Sequence, residues 1–364
     1  MTKIFYPQFK PLNHKTGYLR NVNHSILNNK MTLGPKCLEI EMNLKKILKV
    51  KHVILTTSGT SALMMAALAT KIKKNEKVLC SNLAWVAATN PFLIMNARLK
   101  VVDTYRESQI VDMEQLKRSI IKYKPKVVIL VHLNGQPNLD SDLKKLQKKY
   151  NFIIIEDAAQ SFLSNINKNK ICGTSFDIGC YSLSFVKPVN MVYGGFCCTN
   201  SDKFAKELIA IRDNGVFPEN VKDALATTLG LNLKPSDIHA AIGLENLKSI
   251  NLRKKILLEN FNTYKNLIKT TKKIKFLDIK GKYAIPNFAE VLVESKKDFI
   301  KFCNENGIGA TGGMRGLTET GLVYGSKSRL KNSLYVSNHL VRLPFGPGYK
   351  RTEIKRIATI INTY

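Results

Sequence analysis

Hydrophobic positions along this chain fall into two alternating kinds of run. Short, nearly continuous apolar stretches appear at residues 52–57 (HVILTT), 78–83 (VLCSNL), 99–103 (LKVVD), 126–133 (KVVILVHL) and 152–160 (FIIIEDAAQ). Between them lie segments whose apolar residues recur at helical spacing among lysines and glutamates: 37–48, 62–74, 84–96, 112–123 and 142–150. A strand buried on both faces reads as an unbroken apolar run, and a helix covering a sheet reads as amphipathic. Repetition of the two predicts an α/β fold, a mostly parallel sheet covered by helices, with ligands gathering at the carboxyl ends of its strands.

Beyond residue 160 the pattern changes. Two strand-like runs inside DIGCYSLSFVKPVNMVYGGFCCT, residues 177–199, flank an apolar bend. A helical run at 201–213 leads to a polar loop at 216–228, a helix of small and apolar residues beginning at Pro235-Ser236-Asp237, and a long amphipathic helix at 251–271. The remainder predicts a smaller α/β unit: a strand at 287–294, a helix at 296–306, a Gly-rich irregular stretch at 307–325, a strand at 339–344 and a helix at 351–361. Residues 1–35 read as an irregular arm ending at the turn signal Gly34-Pro35. We therefore expect an arm and large domain over 1–248 and a small C-terminal domain over 249–364.

Composition narrows the function classes. Apolar content of 44% is that of a globular protein, and no apolar run is long enough to suggest a membrane span. The first twenty residues mix charge, proline and aromatics without a signal-peptide core, so the expected location is the cytoplasm. Seven cysteines, none in a C-x-x-C pair, read as free thiols, with Cys197 and Cys198 pointing to opposite faces of one strand; six isolated histidines offer no metal site. The net charge of +30 is spread over nearly every helix-like segment. That distribution favours a solvated basic surface that attracts anionic substrates over the gathered basic face of a nucleic-acid binder.

Three places carry candidate chemistry. Ser58-Gly59-Thr60-Ser61 joins a strand to a helix, so its N–H groups and hydroxyls suit a phosphate dianion, or form a helix cap with no ligand. Glu156 and Asp157 close the strand-like run at 153–155; Asp157 either caps the next turn or pairs with a cationic ring nitrogen. Lys187, at the bend before Gly194-Gly195, is either a surface lysine on a hairpin or a nucleophilic amine whose proton is lost near neutral pH. Gly307-Ile308-Gly309-Ala310-Thr311-Gly312 matches G-x-G-x-x-G, but it follows a helical run and opens none, so it is set aside as a dinucleotide site.

From about Leu33 to its end the chain resembles the DegT/DnrJ/EryC1/StrS family of sugar aminotransferases, within the aspartate-aminotransferase fold (fold type I of the pyridoxal-phosphate enzymes). The resemblance is carried by LGPKCLEIE, TSGTSAL, VHLNGQP, IIIEDAAQ, GCYSLSFVKPVNMVYGGFCCTN, GLNLKPSDIHAAIGLENL and LVRLPFGP, in that order. It implies pyridoxal 5'-phosphate as cofactor, with Lys187 as the Schiff-base lysine, Asp157 as partner of the pyridine nitrogen, and Gln160 beside the phenolic oxygen. Gly59, Thr60 and Ser61 fall on the phosphate turn. A gapless count from Lys187 makes Ser182, not Ser184, the phosphate-binding serine. Trp85 stands where the family often stacks an aromatic on the cofactor ring; as the single tryptophan it could also be core.

Asn232 matches an asparagine that reaches the phosphate across a homodimer interface, although the aromatic and arginine usual after it are Leu233 and Lys234 here. Dehydratases of the family carry histidine where this chain has Lys187. The resemblance therefore implies a transaminase that moves an amino group from an amino acid, glutamate, to a nucleotide-linked keto sugar. The rival classes are a binding or regulatory protein that kept the fold, separable by borohydride trapping on Lys187, and a nucleic-acid binder, separable by the salt dependence of affinity.

Overall fold

The computed structural model describes residues 4–27, 29–323 and 329–364. In chain order the helices are α1 (Lys15–Leu27), α2 (Pro35–Leu48), α3 (Gly59–Ala69), α4 (Asn90–Ile94), α5 (Met113–Tyr123), α6 (Asp142–Tyr150), α7 (Asp202–Arg212), α8 (Asp237–Lys248), α9 (Ile250–Leu267), α10 (Lys296–Glu305), α11 (Lys331–His339) and α12 (Arg351–Ile361). The strands are β1 (His52–Thr56), β2 (Lys77–Ser81), β3 (Arg98–Val102), β4 (Val127–Val131), β5 (Ile153–Asp157), β6 (Asn165–Asn167), β7 (Lys170–Ile171), β8 (Ile178–Ser182), β9 (Gly195–Thr199), β10 (Ile274–Phe276), β11 (Ala289–Val293), β12 (Thr311–Gly312) and β13 (Leu340–Leu343).

Seven strands form one sheet in the order β1-β9-β8-β5-β4-β2-β3, parallel except for β9, which runs against both neighbours. The unbroken apolar runs are explained by burial on both faces. Val127, Ile129 and Val131 pack with the side chains of α3, while the alternate residues Val128 and Leu130 pack with those of α5 and α6. Helix α3 is apolar all round because it is wedged between β8, β9 and α7. The second sheet, β10-β11-β13-β12, is antiparallel and is backed by α9 and α12. Segments after β2 are tied to it: Leu83 bridges Gly316, and Asn82 Oδ1 accepts from the Thr318 N–H at 3.1 Å.

Some expectations change. The N-terminal arm is not irregular: α1 packs on α8 through polar contacts, Tyr18 to Asn246 at 2.7 Å and Ser25 to Asp237 at 2.8 Å. Its single buried side chain is Ser25, so no apolar stripe announces it. Residues 1–3 and 28 of that arm lie outside the described residues. The segment at 84–96 is a single 3-10 turn at Val86–Ala88 followed by the short α4, with Pro91 in its first turn. Gly307 caps α10 at a φ of 73°, and the G-x-G-x-x-G then enters β12 rather than a helix, as its context predicts. Residues 324–325 of the Gly-rich stretch are outside the described residues. All seven cysteines are buried thiols, with Cys197 and Cys198 in separate clusters on the two sides of β9.

Candidate active site

The carboxyl ends of β1, β2, β4, β5 and β8 open onto a cavity of about 400 Å³ whose far wall comes from the second sheet. Every large-sheet connection there supplies residues: Ser58, Gly59 and Thr60 after β1, Trp85 after β2, His132 after β4, Asp157 and Gln160 at the end of β5, and Ser182, Ser184 and Lys187 after β8. Phe288, Met314 and Arg342 close it from the opposite side.

At the β1 end, Ser58 caps α3, its Oγ accepting the Ser61 N–H at 3.0 Å, a cap worth about 1 kcal/mol. The first N–H groups of α3 are left facing the cavity, an anion-binding arrangement. Gly59 lies so close to Ser182 that an added Cβ would sit 2.7 Å from the serine Cβ. Ser182 is thus the serine against the helix start, while Ser184 lines the same cavity 3.3 Å away, oxygen to oxygen. Ser61 does not line the cavity; its hydroxyl is taken up by Thr57 at 2.8 Å and Ser58 at 2.9 Å.

An added Cβ at Gly195 on β9 would lie 2.4 Å from the carbonyl of Ser58. Gly195→Ala is therefore expected to displace the turn and weaken phosphate binding at the start of α3 by about tenfold or more, with the fold kept. Calorimetric titration with inorganic phosphate and far-UV circular dichroism check it.

Asp157, almost fully buried at the end of β5, is held only lightly. Its Oδ1 accepts the Ala159 N–H at 3.1 Å, and no ion pair among the described residues answers its charge. Burial raises its pKa above the ordinary carboxylate value, opposed by the Ala159 N–H, Lys187 and His132. Glu156, one residue earlier and facing the other side, is instead fully occupied. It accepts from the N–H groups of Gly173, Ser175 and Phe176 and from His132 Nε2 at 3.1 Å. Because His132 Nδ1 accepts the Asn138 N–H, its Nε2 carries the hydrogen given to Glu156. Glu156 is a structural anchor, and Asp157 is the carboxylate left for a ligand.

Lys187 follows β8 in a turn closed by its own N–H to the Ser184 carbonyl at 2.9 Å. Its Nζ lies 6.0 Å from the centre of the Phe288 ring. Burial, then the Arg342 guanidinium, drive its pKa down to about 8, with Asp157 opposing. The surface-hairpin reading of Lys187 does not hold. Trp85 is 61% exposed yet lines the cavity, so it is not a core tryptophan. Gln160 Oε1 accepts the Asn134 N–H at 3.0 Å, which turns its NH₂ group the other way. Asn232 is exposed, pairs with Asp213 in an isolated bridge, and does not line its own chain's cavity.

Sequence reasoning passed over Arg342, Phe288 and Met314. Arg342 and Glu290 stand directly opposite each other on β13 and β11, joined from Nε to Oε1 at 3.0 Å. The guanidinium lies 3.8 Å above the Phe288 ring. Among the described residues only its Nε has a hydrogen-bond partner, leaving the terminal nitrogens for a ligand. One charge alone in each of two strand-like runs, AEVLV and LVRL, is the signal that could have found the pair, since a buried charge needs a partner.

This sheet order, with one reversed strand and a lysine at the turn beside it, is that of the aspartate-aminotransferase fold, type I. The chain belongs to the DegT/DnrJ/EryC1/StrS aminotransferase family, whose model matches residues 14–362. It is 29% identical over 235 residues to UDP-4-amino-4,6-dideoxy-N-acetyl-beta-L-altrosamine transaminase of Campylobacter jejuni, a match covering 64% of this chain and 62% of that relative. Among solved structures it is similar to GDP-4-keto-6-deoxy-D-mannose-3-dehydratase of E. coli with bound hydrated PLP (TM-score 0.88, 19% identity, 98% of this chain and 100% of that one). It is equally similar to Helicobacter pylori PseC, an aminotransferase involved in the biosynthesis of pseudoaminic acid (TM-score 0.88, 19% identity, 99% and 98%).

Proposed function

We propose that this chain is a pyridoxal-phosphate-dependent aminotransferase that transfers an amino group from an amino acid, glutamate, to a nucleotide-linked keto sugar in amino-sugar or surface-polysaccharide biosynthesis. The observation that carries the reading is Lys187, a half-buried lysine that lines the cavity with its pKa lowered to about 8, between a helix start shaped for phosphate and a buried carboxylate without an ion pair among the described residues. The residues fit the cofactor: Ser58, Gly59, Thr60 and Ser182 would hold its phosphate, Asp157 its ring nitrogen, the free NH₂ of Gln160 its phenolic oxygen, and Trp85 a ring face. When bound, pyridoxal phosphate supplies an aldehyde that carries the amino group and a ring that draws electrons from the substrate carbon.

The chain's own groups do the rest. Lys187 Nζ would hold the cofactor, and as a free amine would take the proton from the donor's α-carbon. Asp157 keeps a positive charge on the nitrogen beside it. The terminal nitrogens of Arg342 receive the donor's carboxylate. Lysine at 187 sets the chain apart from the family's dehydratases, which carry histidine there. The charge of +30 draws a nucleotide sugar toward the cavity.

We place Asn232 at the phosphate of a second copy in a homodimer, divide the chain at 1–248 and 249–364, where Ser249 breaks α8 from α9, and locate the enzyme in the cytoplasm. Among the described residues no helix is long and apolar enough to cross a membrane.

The test is direct. Protein mixed with pyridoxal phosphate turns yellow, glutamate bleaches it with release of the 2-oxo acid, and a nucleotide-linked 4-keto sugar restores the colour; sedimentation gives a dimer. Absence of the colour sinks the reading, and a monomer that turns over at full rate sinks the shared site. Capture needs the neutral amine, so its rate climbs with pH and is half-maximal near 8, where Lys187 loses its proton. Arg342→Leu removes a repelling charge and moves that midpoint upward, checked by stopped-flow absorbance across pH.

A further inference from the structure

Asn134 sits in VHLNGQP, immediately after β4, fully buried and with a φ of 48°, a left-handed conformation that asparagine tolerates better than most residues. Its N–H and its side-chain amide reach the two sides of the active site. Its N–H donates to Gln160 Oε1 at 3.0 Å. Its Oδ1 accepts the N–H groups of Asn287 at 2.9 Å and Phe288 at 2.8 Å. Its Nδ2 donates to Glu290 Oε2 at 2.9 Å, and the other oxygen of that carboxylate holds Arg342.

One residue therefore fixes the amide of Gln160 on the large-sheet wall through its backbone N–H, and the Phe288 backbone and Glu290–Arg342 pair on the opposite wall through its side chain. Without its side chain, the turn that aims the N–H at Gln160 would lose its hold on the opposite wall. Glu290 would lose one of the two donors on Oε2, the other being Gln109 at 2.8 Å.

We propose that Asn134 is a positioning residue that aligns Gln160 on the cofactor side with Arg342 on the donor side, so that the two walls of the site act as one unit. The proposal rests on the function proposed above, in that it gives Gln160 and Arg342 their ligands. The chemistry is that of a buried hydrogen-bond network, whose members are fixed by each other and lose geometry together.

The experiment compares wild type with Asn134→Gly, which keeps the left-handed backbone and removes the side chain, and with Asn134→Asp, which keeps the acceptor oxygen but sets a carboxylate against Glu290. Three measurements are made on each. The first is hydrogen exchange without cofactor. In Asn134→Gly, the amides of Asn287 and Phe288 should exchange faster than in wild type while those of β4 and β5 are unchanged. In Asn134→Asp these two amides should stay protected.

The second is the absorbance maximum with pyridoxal phosphate, which should shift in Asn134→Gly, where the turn that aims the N–H at Gln160 is no longer anchored to the opposite wall, and stay near wild type in Asn134→Asp, where the side-chain oxygen still anchors it. The third is the donor KM, which should rise about tenfold or more in both, with a smaller change in the KM for the sugar. A double variant with Gln160→Ala should show no further spectral shift. Wild-type exchange, spectrum and donor KM in folded Asn134→Gly would overturn the proposal and leave the aminotransferase reading standing. A wild type that takes up no cofactor would overturn that reading, while the cofactor-free exchange would still show whether Asn134 joins the two walls.

Discussion

Lys187→Ala is expected to lower kcat/KM for transamination by about 10⁴-fold or more, the loss of both a nucleophile and a general base from one position. Lysine and arginine together number 57, yet among the described residues Lys187 is the one lysine lining the cavity that also holds Asp157, Ser182 and the start of α3. It is also the lysine whose pKa is brought down to about 8, through burial and the neighbouring Arg342. A solvated lysine side chain is ordinarily protonated at neutral pH and competes poorly for an aldehyde. Borohydride reduction of the yellow wild-type protein followed by peptide mass should find the pyridoxyl group on the peptide containing Lys187. Lys187→Arg, which keeps the charge and loses the nucleophile, should be as inactive as Lys187→Ala. An adduct scattered over several peptides, or activity surviving in the arginine variant, would refute the assignment.

Much of this architecture was readable because burial writes itself into the chain. The runs VVILV and III are apolar without interruption since β4 and β5 are covered on both faces, and their carboxyl ends located Asp157 before any coordinates. Lys187 was placed by its bend and the glycines after it, and Gly195 is indeed where the backbone of Ser58 leaves no room for a Cβ. What stayed hidden depends on contacts distant in sequence or on polar packing. Helix α1 has no apolar stripe because serine, tyrosine and asparagine side chains dock it on α8. Asn134 lies in VHLNGQP with nothing local to mark its role, since Glu290 and the amides of Asn287 and Phe288 are more than 150 residues away. Ser61 shows the reverse case: the small-residue turn was legible, but which hydroxyls face the ligand depends on the cap geometry.

Asp157→Asn should lower kcat by about 10³-fold or more while making the cofactor-free protein more stable at neutral pH, and the opposed signs are the point of the experiment. In the empty site the carboxylate is buried without a cation of its own, and its pKa is raised by that burial despite the Ala159 N–H, Lys187 and His132. A carboxyl whose folded pKa exceeds its unfolded value contributes stability below the unfolded pKa and loses it as pH rises through the folded pKa, so at neutral pH the ionised group is a liability. Asparagine removes that liability and keeps an acceptor oxygen for the Ala159 N–H. It cannot hold a proton on the ring nitrogen, so electron withdrawal from the substrate carbon is lost. Thermal unfolding without cofactor should therefore give a higher Tm for Asp157→Asn at pH 7, with the difference shrinking toward pH 3. Single-turnover measurements should show the donor's α-proton leaving far more slowly than in wild type. A variant of lower stability and undiminished kcat would mean that Asp157 is a structural cap, the other role its position at the end of β5 allowed.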